Sequence, residues 1–130
     1  MANALYPNFK NRILTKQIDM STDSIQAVLV NNSYTFSNAH LTYAASVAAN
    51  AIGSPVALAN KVVSVDTFDA DDTTFPAVTS GANIKAVVLY HQTSGVLIAY
   101  IDTGAGLPAT GNGGDIQINW SNAATKIFQL

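Results

Sequence analysis

Residues 84–120 read Ile84-Lys-Ala-Val-Val-Leu-Tyr-His91, then Gln92-Thr-Ser-Gly95, then Val96-Leu-Ile-Ala-Tyr-Ile-Asp102. A glycine-rich loop over 103–114 follows, and Asp115-Ile-Gln-Ile-Asn-Trp120 closes the stretch. Two apolar runs joined by a four-residue turn that ends in Gly95 predict a β-hairpin. Alternation puts Ile84, Ala86, Val88 and Tyr90 on one face of the first run and Lys85, Val87, Leu89 and His91 on the other. In the second run Val96, Ile98 and Tyr100 oppose Leu97, Ala99 and Ile101. Both faces are apolar, so the hairpin is expected inside a packed sheet covered on both sides. In the last run Ile116, Ile118 and Trp120 alternate with Asp115, Gln117 and Asn119, the pattern of a half-buried strand. The three runs are expected to form the core sheet.

Working outward, Ser24–Val30 reads as a further strand, residues 56–68 as one long or two short strands, and residues 74–78 as a short edge piece holding Pro76. Residues 38–52 are Ala-rich and predict a short helix capped by Asn38 and ended at Gly53 and Pro55. Residues 126–130 form a last apolar piece. Residues 4–17 carry Leu5, Phe9 and Ile13 at helical spacing, with Leu14 and Lys16 as further candidates for it and Pro7 in the first turn. The expectation is a mainly β chain: an antiparallel β-sandwich or barrel-like domain over 18–130, preceded by a short N-terminal helix or arm over 1–17. The apolar face of that helix would dock on its own sheet or on a neighbouring subunit.

The chain has 130 residues, 48% of them hydrophobic and 11% charged. An ordinary soluble domain carries about 25% charged residues. A surface so poor in charge suits a protein that packs against copies of itself or against a partner. There is no cysteine, which excludes disulfides and thiolate chemistry. No apolar run approaches the ~18 residues of a membrane span, and the opening residues lack the pattern of a signal peptide. Lys10, Arg12 and Lys16 are the only charges in residues 1–16, whereas all eight acids follow and all are Asp. Asp favours turns where Glu favours helices, which fits a turn-rich β protein. The net-acidic body argues against nucleic acid as a partner.

Candidate chemistry is sparse. Asp66, Asp69, Asp71 and Asp72 supply oxygens at short spacing, but without the glycine and distal Glu of a calcium loop they read as turn residues. Asp102-Thr103-Gly104 has the triplet of aspartic proteases in a single copy, where two carboxylates are needed. The loop glycines do not precede a helix and so form no phosphate cradle. His40 and His91 have no partner singled out by spacing and read as packing or surface residues. Tyr90, Tyr100 and Trp120 would offer a sugar-binding face only if they pointed outward together, and on alternating positions they read as core. The expectation is a non-enzyme with no metal and no cofactor.

Residues 4–14 (ALYPNFKNRIL), 23–30 (DSIQAVLV), 68–75 (FDADDTTF), 97–108 (LIAYIDTGAGLP), 112–120 (NGGDIQINW) and 126–128 (KIF) resemble a family of small structural proteins of tailed bacteriophages. Residues 38–60 follow that pattern least. The resemblance implies a virion protein assembled in the host cytoplasm, by preference a capsid decoration, or cement, protein that binds the major capsid protein. A homotrimer is expected. A tail or head–tail connector component and a virion-borne glycan-binding module are the alternatives. In this reading residues 1–17 form a mobile arm, with Leu5, Phe9 and Ile13 as anchors and Lys10, Arg12 and Lys16 as their charged complement. Its removal is expected to leave the domain folded.

Overall fold

The computed structural model describes residues 3–102, 106–120 and 127–129. Its elements are β1 (Ala4–Leu5), α1 (Pro7–Leu14), β2 (Ile25–Val30), α2 (Tyr43–Ser46) with a 3-10 turn at Ala48–Asn50, β3 (Ala51–Ala57), β4 (Val62–Ser64), β5 (Thr67–Asp69) and β6 (Thr73–Phe75). They continue with β7 (Asn83–Ile84), β8 (Ala86–His91), β9 (Leu97–Ile101), β10 (Ala109–Thr110), β11 (Ile116–Ile118) and β12 (Phe128–Gln129). The terminal piece predicted over 126–130 is described at residues 127–129; its outer residues, like Thr103, Gly104 and Ala105, lie outside the described residues.

The chain is mainly β, antiparallel and sandwich-like, and it does not close into a barrel. The central sheet has the order β1-β9-β8-β2-β3. The predicted hairpin, β8–β9, lies at its middle, and every residue of both strands is buried. Gly95, at φ +76°, provides the left-handed position that its turn needs. Alternation holds along β2 and β8. Ile25, Ala27, Leu29, Val87 and Leu89 enter one apolar cluster, and Val28, Val30, Ala86, Val88 and Tyr90 enter a second on the opposite face.

In β9 the predicted facing fails. The pairing slips between Leu89 and Tyr90, which face Ala99 and Leu97, so Ile98 is the extra residue of a bulge. The bulge places Ile98 beside Ala99 and Ile101 on one face and Leu97 with Tyr100 on the other. Ile84 also leaves the expected face. The strand breaks at Lys85, and Ile84 pairs with Ala109 of β10.

The layer over the first face is built from three small sheets, β10-β7, β11-β6 and β12-β5-β4, together with α1. The expectation that residues 115–120 join the hairpin in one sheet is corrected here. β11 pairs with β6, Ile116 to Phe75 and Ile118 to Thr73, which brings its buried side to the core from the second layer. Gly111 sits at the seam: a Cβ there would lie 2.2 Å from the carbonyl oxygen of Thr79, so no side chain fits. The second face is covered by residues 34–47, chiefly Tyr34, Phe36, Tyr43 and Val47. Tyr6 and Tyr34 share a hydroxyl–hydroxyl bond of 2.5 Å beneath that cover. Burial first, and then this bond, push the Tyr6 phenol far above its ordinary range.

The helix predicted over 38–52 is a single turn, and its N-cap is Thr42 rather than Asn38. Alanines at 44, 45, 48 and 49 give a helix little apolar surface to bury. The chain instead enters β3 at Ala51 and completes the sheet edge, with Ile52 opposite Leu29.

Residues 4–14 are part of this body. Ala4 and Leu5 pair with Tyr100 and Ala99, and the amide of Tyr6 extends the ladder to Ile98 O at 3.0 Å. Tyr6 and Phe9 are fully buried. The picture of a mobile arm is therefore corrected. The side chains that look like anchors for a partner are the ones that fasten this segment to its own sheet and core.

Candidate interaction surface

α1 begins with Pro7 at its first position, where the missing N–H goes unused. It ends at Thr15 and Lys16, the latter at φ +62°. The four apolar residues of the predicted helical face, Leu5 of β1 among them, go to three different places. Phe9 is wholly enclosed and meets Phe128 edge-on at 5.7 Å. It cannot touch a partner, so its assignment as an anchor is corrected. Leu5 and Ile13 are half-buried and pack against the core from the rim. Leu14 is 86% exposed. Lys10 and Lys16 are exposed, and the half-buried Arg12 bonds through its guanidinium to the side chain of Gln17. The predicted set thus reduces to Leu5, Lys10, Arg12, Ile13 and Lys16, with Leu14 as an additional exposed residue.

The residues that sequence reasoning missed lie on the β4–β5 hairpin. Val62 pairs with Asp69, Val63 with Phe68 and Ser64 with Thr67, so Val65 and Asp66 form a two-residue turn. Phe68 is buried and stacks on Phe128 at 5.3 Å, which roots the hairpin in the core. Beyond that root the finger is apolar and wet. Val62 and Val63 are about half exposed, and Val65 is 99% exposed. Val65 also has φ +56°. A β-branched residue in that region is strained, by roughly 1–3 kcal/mol. β4 is an edge strand as well, since β5 pairs with it on one side only. Alternation at 62, 64 and 66 predicts the strand, but the exposure of 63 and 65 follows from its place at a sheet edge and could not be read locally.

Two depressions flank this region. A cleft of about 430 Å³ lies between α1 and the finger, lined by Ile13, Lys16, Ile18, Met20, Val63, Val65 and Phe128 among others. A groove of about 340 Å³ adjoins it at Ile13 and is lined by Leu5, Lys10, Ile13, Leu14 and Gln129. Exposed apolar side chains, a strained valine, a cleft bordered by Lys16, Asp19 and Asp66 and a groove bordered by Lys10 form a candidate interaction surface.

Three of the four aspartates of 66–72 have local hydrogen-bond partners. Gln129 Nε2 donates to Asp66 at 2.7 Å, Asn60 Nδ2 to Asp71 at 2.5 Å, and the Trp120 amide to Asp72 at 2.9 Å. Among the described residues no three acidic or histidine side chains gather as a metal site would require.

His91 is buried, and its ring spans two loops: Nδ1 lies 2.7 Å from Ser94 Oγ and Nε2 lies 2.9 Å from Asp23 Oδ2. The Ser94 amide also donates to Nδ1, at 3.2 Å, so Nδ1 is the acceptor and Nε2 carries the proton given to Asp23. The three side chains form a clasp between the turn before β2 and the end of the β8–β9 hairpin. The Asp19 amide, first, and the His91 ring hold the Asp23 carboxyl below the usual carboxylate range. A lowered carboxylate stabilises the fold above its unfolded pKa of about 4, and that contribution is lost as pH falls through the folded value. Melting temperature is therefore expected to fall as the pH drops below about 4. Asp23→Asn should lower the melting temperature near neutrality and flatten its acid slope, as scanning calorimetry across the acid range would report.

Tyr90, Tyr100 and Trp120 are all buried, and Tyr90 stacks on Tyr43 at 4.4 Å and 13°. They offer no outward aromatic face for a sugar. Among the described residues no helix is long and apolar enough to cross a membrane. Comparison with protein-family models, with curated proteins and with solved structures finds nothing that matches this chain.

Proposed function

We propose that this chain is a structural component of a bacteriophage virion, a capsid decoration protein that seats on the major capsid protein, associates with copies of itself as a trimer and stabilises the head. The observation that supports it is the exposed apolar finger Val62–Val65 beside α1, on a body with only 11% charged residues. A monomer that stays alone in solution gains nothing from a strained, fully exposed valine. A protein that covers that valine on assembly does. Nothing in this reading calls for a nucleic acid, a membrane or a cofactor. Attachment at many equivalent sites would make weak single contacts sufficient. The resemblance of residues 4–14, 23–30, 68–75, 97–108 and 112–120 to small phage structural proteins points the same way.

The test is the copy number of this chain relative to the major capsid protein, by quantitative mass spectrometry of purified particles. Hundreds of copies per particle are expected. A dozen or fewer would replace the decoration reading with a tail or connector component, and absence from particles would end both.

A further inference from the structure

We propose that the finger of one copy inserts into the groove of a second, so that Val63 and Val65 pack on Leu5 and Leu14 while Asp66 meets Lys10. The contact deepens the self-association in the decoration reading and takes from it only the number of copies, three.

Four observations carry it. The finger is apolar, exposed and strained at its tip, with Val65 99% exposed at φ +56°. The groove is apolar and open, and Leu14, its most exposed wall, is 86% accessible. The charges are complementary: an exposed carboxylate, Asp66, sits next to Val65 at the tip, and an exposed ammonium, Lys10, sits at the groove. Asp66 already accepts a hydrogen bond from Gln129, which fixes its position and leaves its charge in place. Finally, Asp66 in the β4–β5 turn accepts from Gln129 of β12, which also lines the groove, so the finger and the groove adjoin on one face of the molecule. With its finger in one neighbour and its groove filled by another, each copy is joined head to tail. Such contacts close as rings when the rotation allows, and a closed ring leaves no finger unpaired. The occupant is a second copy because this chain itself carries both complementary halves.

The experiment is sedimentation velocity on the full chain over a range of concentrations, with circular dichroism and melting temperature recorded for each variant. The wild type is expected to sediment as a trimer. Val65→Asp, at a wholly exposed position whose backbone Asp tolerates better than Val, should fold and sediment as a monomer. Lys10→Glu and Asp66→Lys should each raise the dissociation constant at least tenfold, and the double swap Lys10→Glu/Asp66→Lys should recover most of that loss. Recovery by the double swap is a readout that no local effect on folding produces. A wild type that stays monomeric, an oligomer with an even number of copies, or a double swap as weak as the worse single swap would overturn the contact. A monomer found in hundreds of copies per particle would overturn it while leaving the decoration reading in place. A trimer found in a dozen copies or fewer would do the reverse.

Discussion

Deleting residues 1–17 is expected to leave a chain that does not fold. The deletion removes β1 from the central sheet and takes out Tyr6 and Phe9, both fully buried. Truncating one buried aromatic residue to alanine costs about 3–5 kcal/mol. Two such losses match the total stability of an ordinary domain, about 5–15 kcal/mol. The deletion also opens β9 along the edge where Tyr100 and Ala99 now pair, exposing a row of unpaired backbone groups on an apolar strand. Dispersed amide proton signals for residues 18–130 alone would refute this. The practical consequence concerns attachment to a capsid. Loss of binding by such a truncation would not implicate the helix, because the domain would be gone. Point changes on the exposed surface, at Lys10, Leu14 and Lys16, are the informative ones.

Trp120→Ala is the second change with a large expected effect, a loss of about 3–5 kcal/mol. Trp120 is 5% exposed, in the cluster that joins the two layers. Its indole N–H donates to Thr73 Oγ1 at 3.2 Å, and Thr73 is itself buried. Alanine would leave both a cavity and an unpaired hydroxyl, and the second alone costs about 1–3 kcal/mol. Urea denaturation followed by far-ultraviolet circular dichroism would give the difference. A loss under about 1 kcal/mol would contradict the burial and return Trp120 to the surface, where the glycan-binding alternative needs it.

The hairpin at β8–β9, the strand β2 and the mainly β, sandwich-like class are legible because alternation and a turn glycine are local signals. What escaped is non-local. Strict alternation in 115–120 identifies a half-buried strand but cannot say that its neighbour is β6 rather than β9, since both would bury Ile118 and Trp120. The bulge at Ile98 is silent in a run where every residue is apolar. The Ala-rich stretch 38–52 has the propensity of a helix, yet the open edge of β2 claims its second half as β3. For the interaction surface, helical spacing placed Phe9 and Ile13 on one helix, but it also took in Leu5, which the structure puts in β1 beside Ala99. It could not distinguish a face turned toward a partner from one turned toward the chain's own core. The valines at 62, 63 and 65 look like ordinary strand residues. Their exposure follows from the shortness of β4 and its position at the edge of a three-stranded sheet.

The pairing of Ala4 with Tyr100 bears on how the chain is made. Residues 4–9 leave the ribosome long before their partner strand does, by about 5–20 s at ordinary elongation rates. During that interval Leu5, Tyr6 and Phe9 have no sheet to join, and β5 and β6 in turn wait for β12 and β11, which emerge after β9. The nascent chain therefore holds its apolar segments open until nearly all of it has emerged. Completion then comes late and all at once, as expected of a topology dominated by distant pairings. A cell producing this protein in quantity needs chaperone capacity in proportion, and a tag placed at the first residues would stand next to the last edge of the sheet to close.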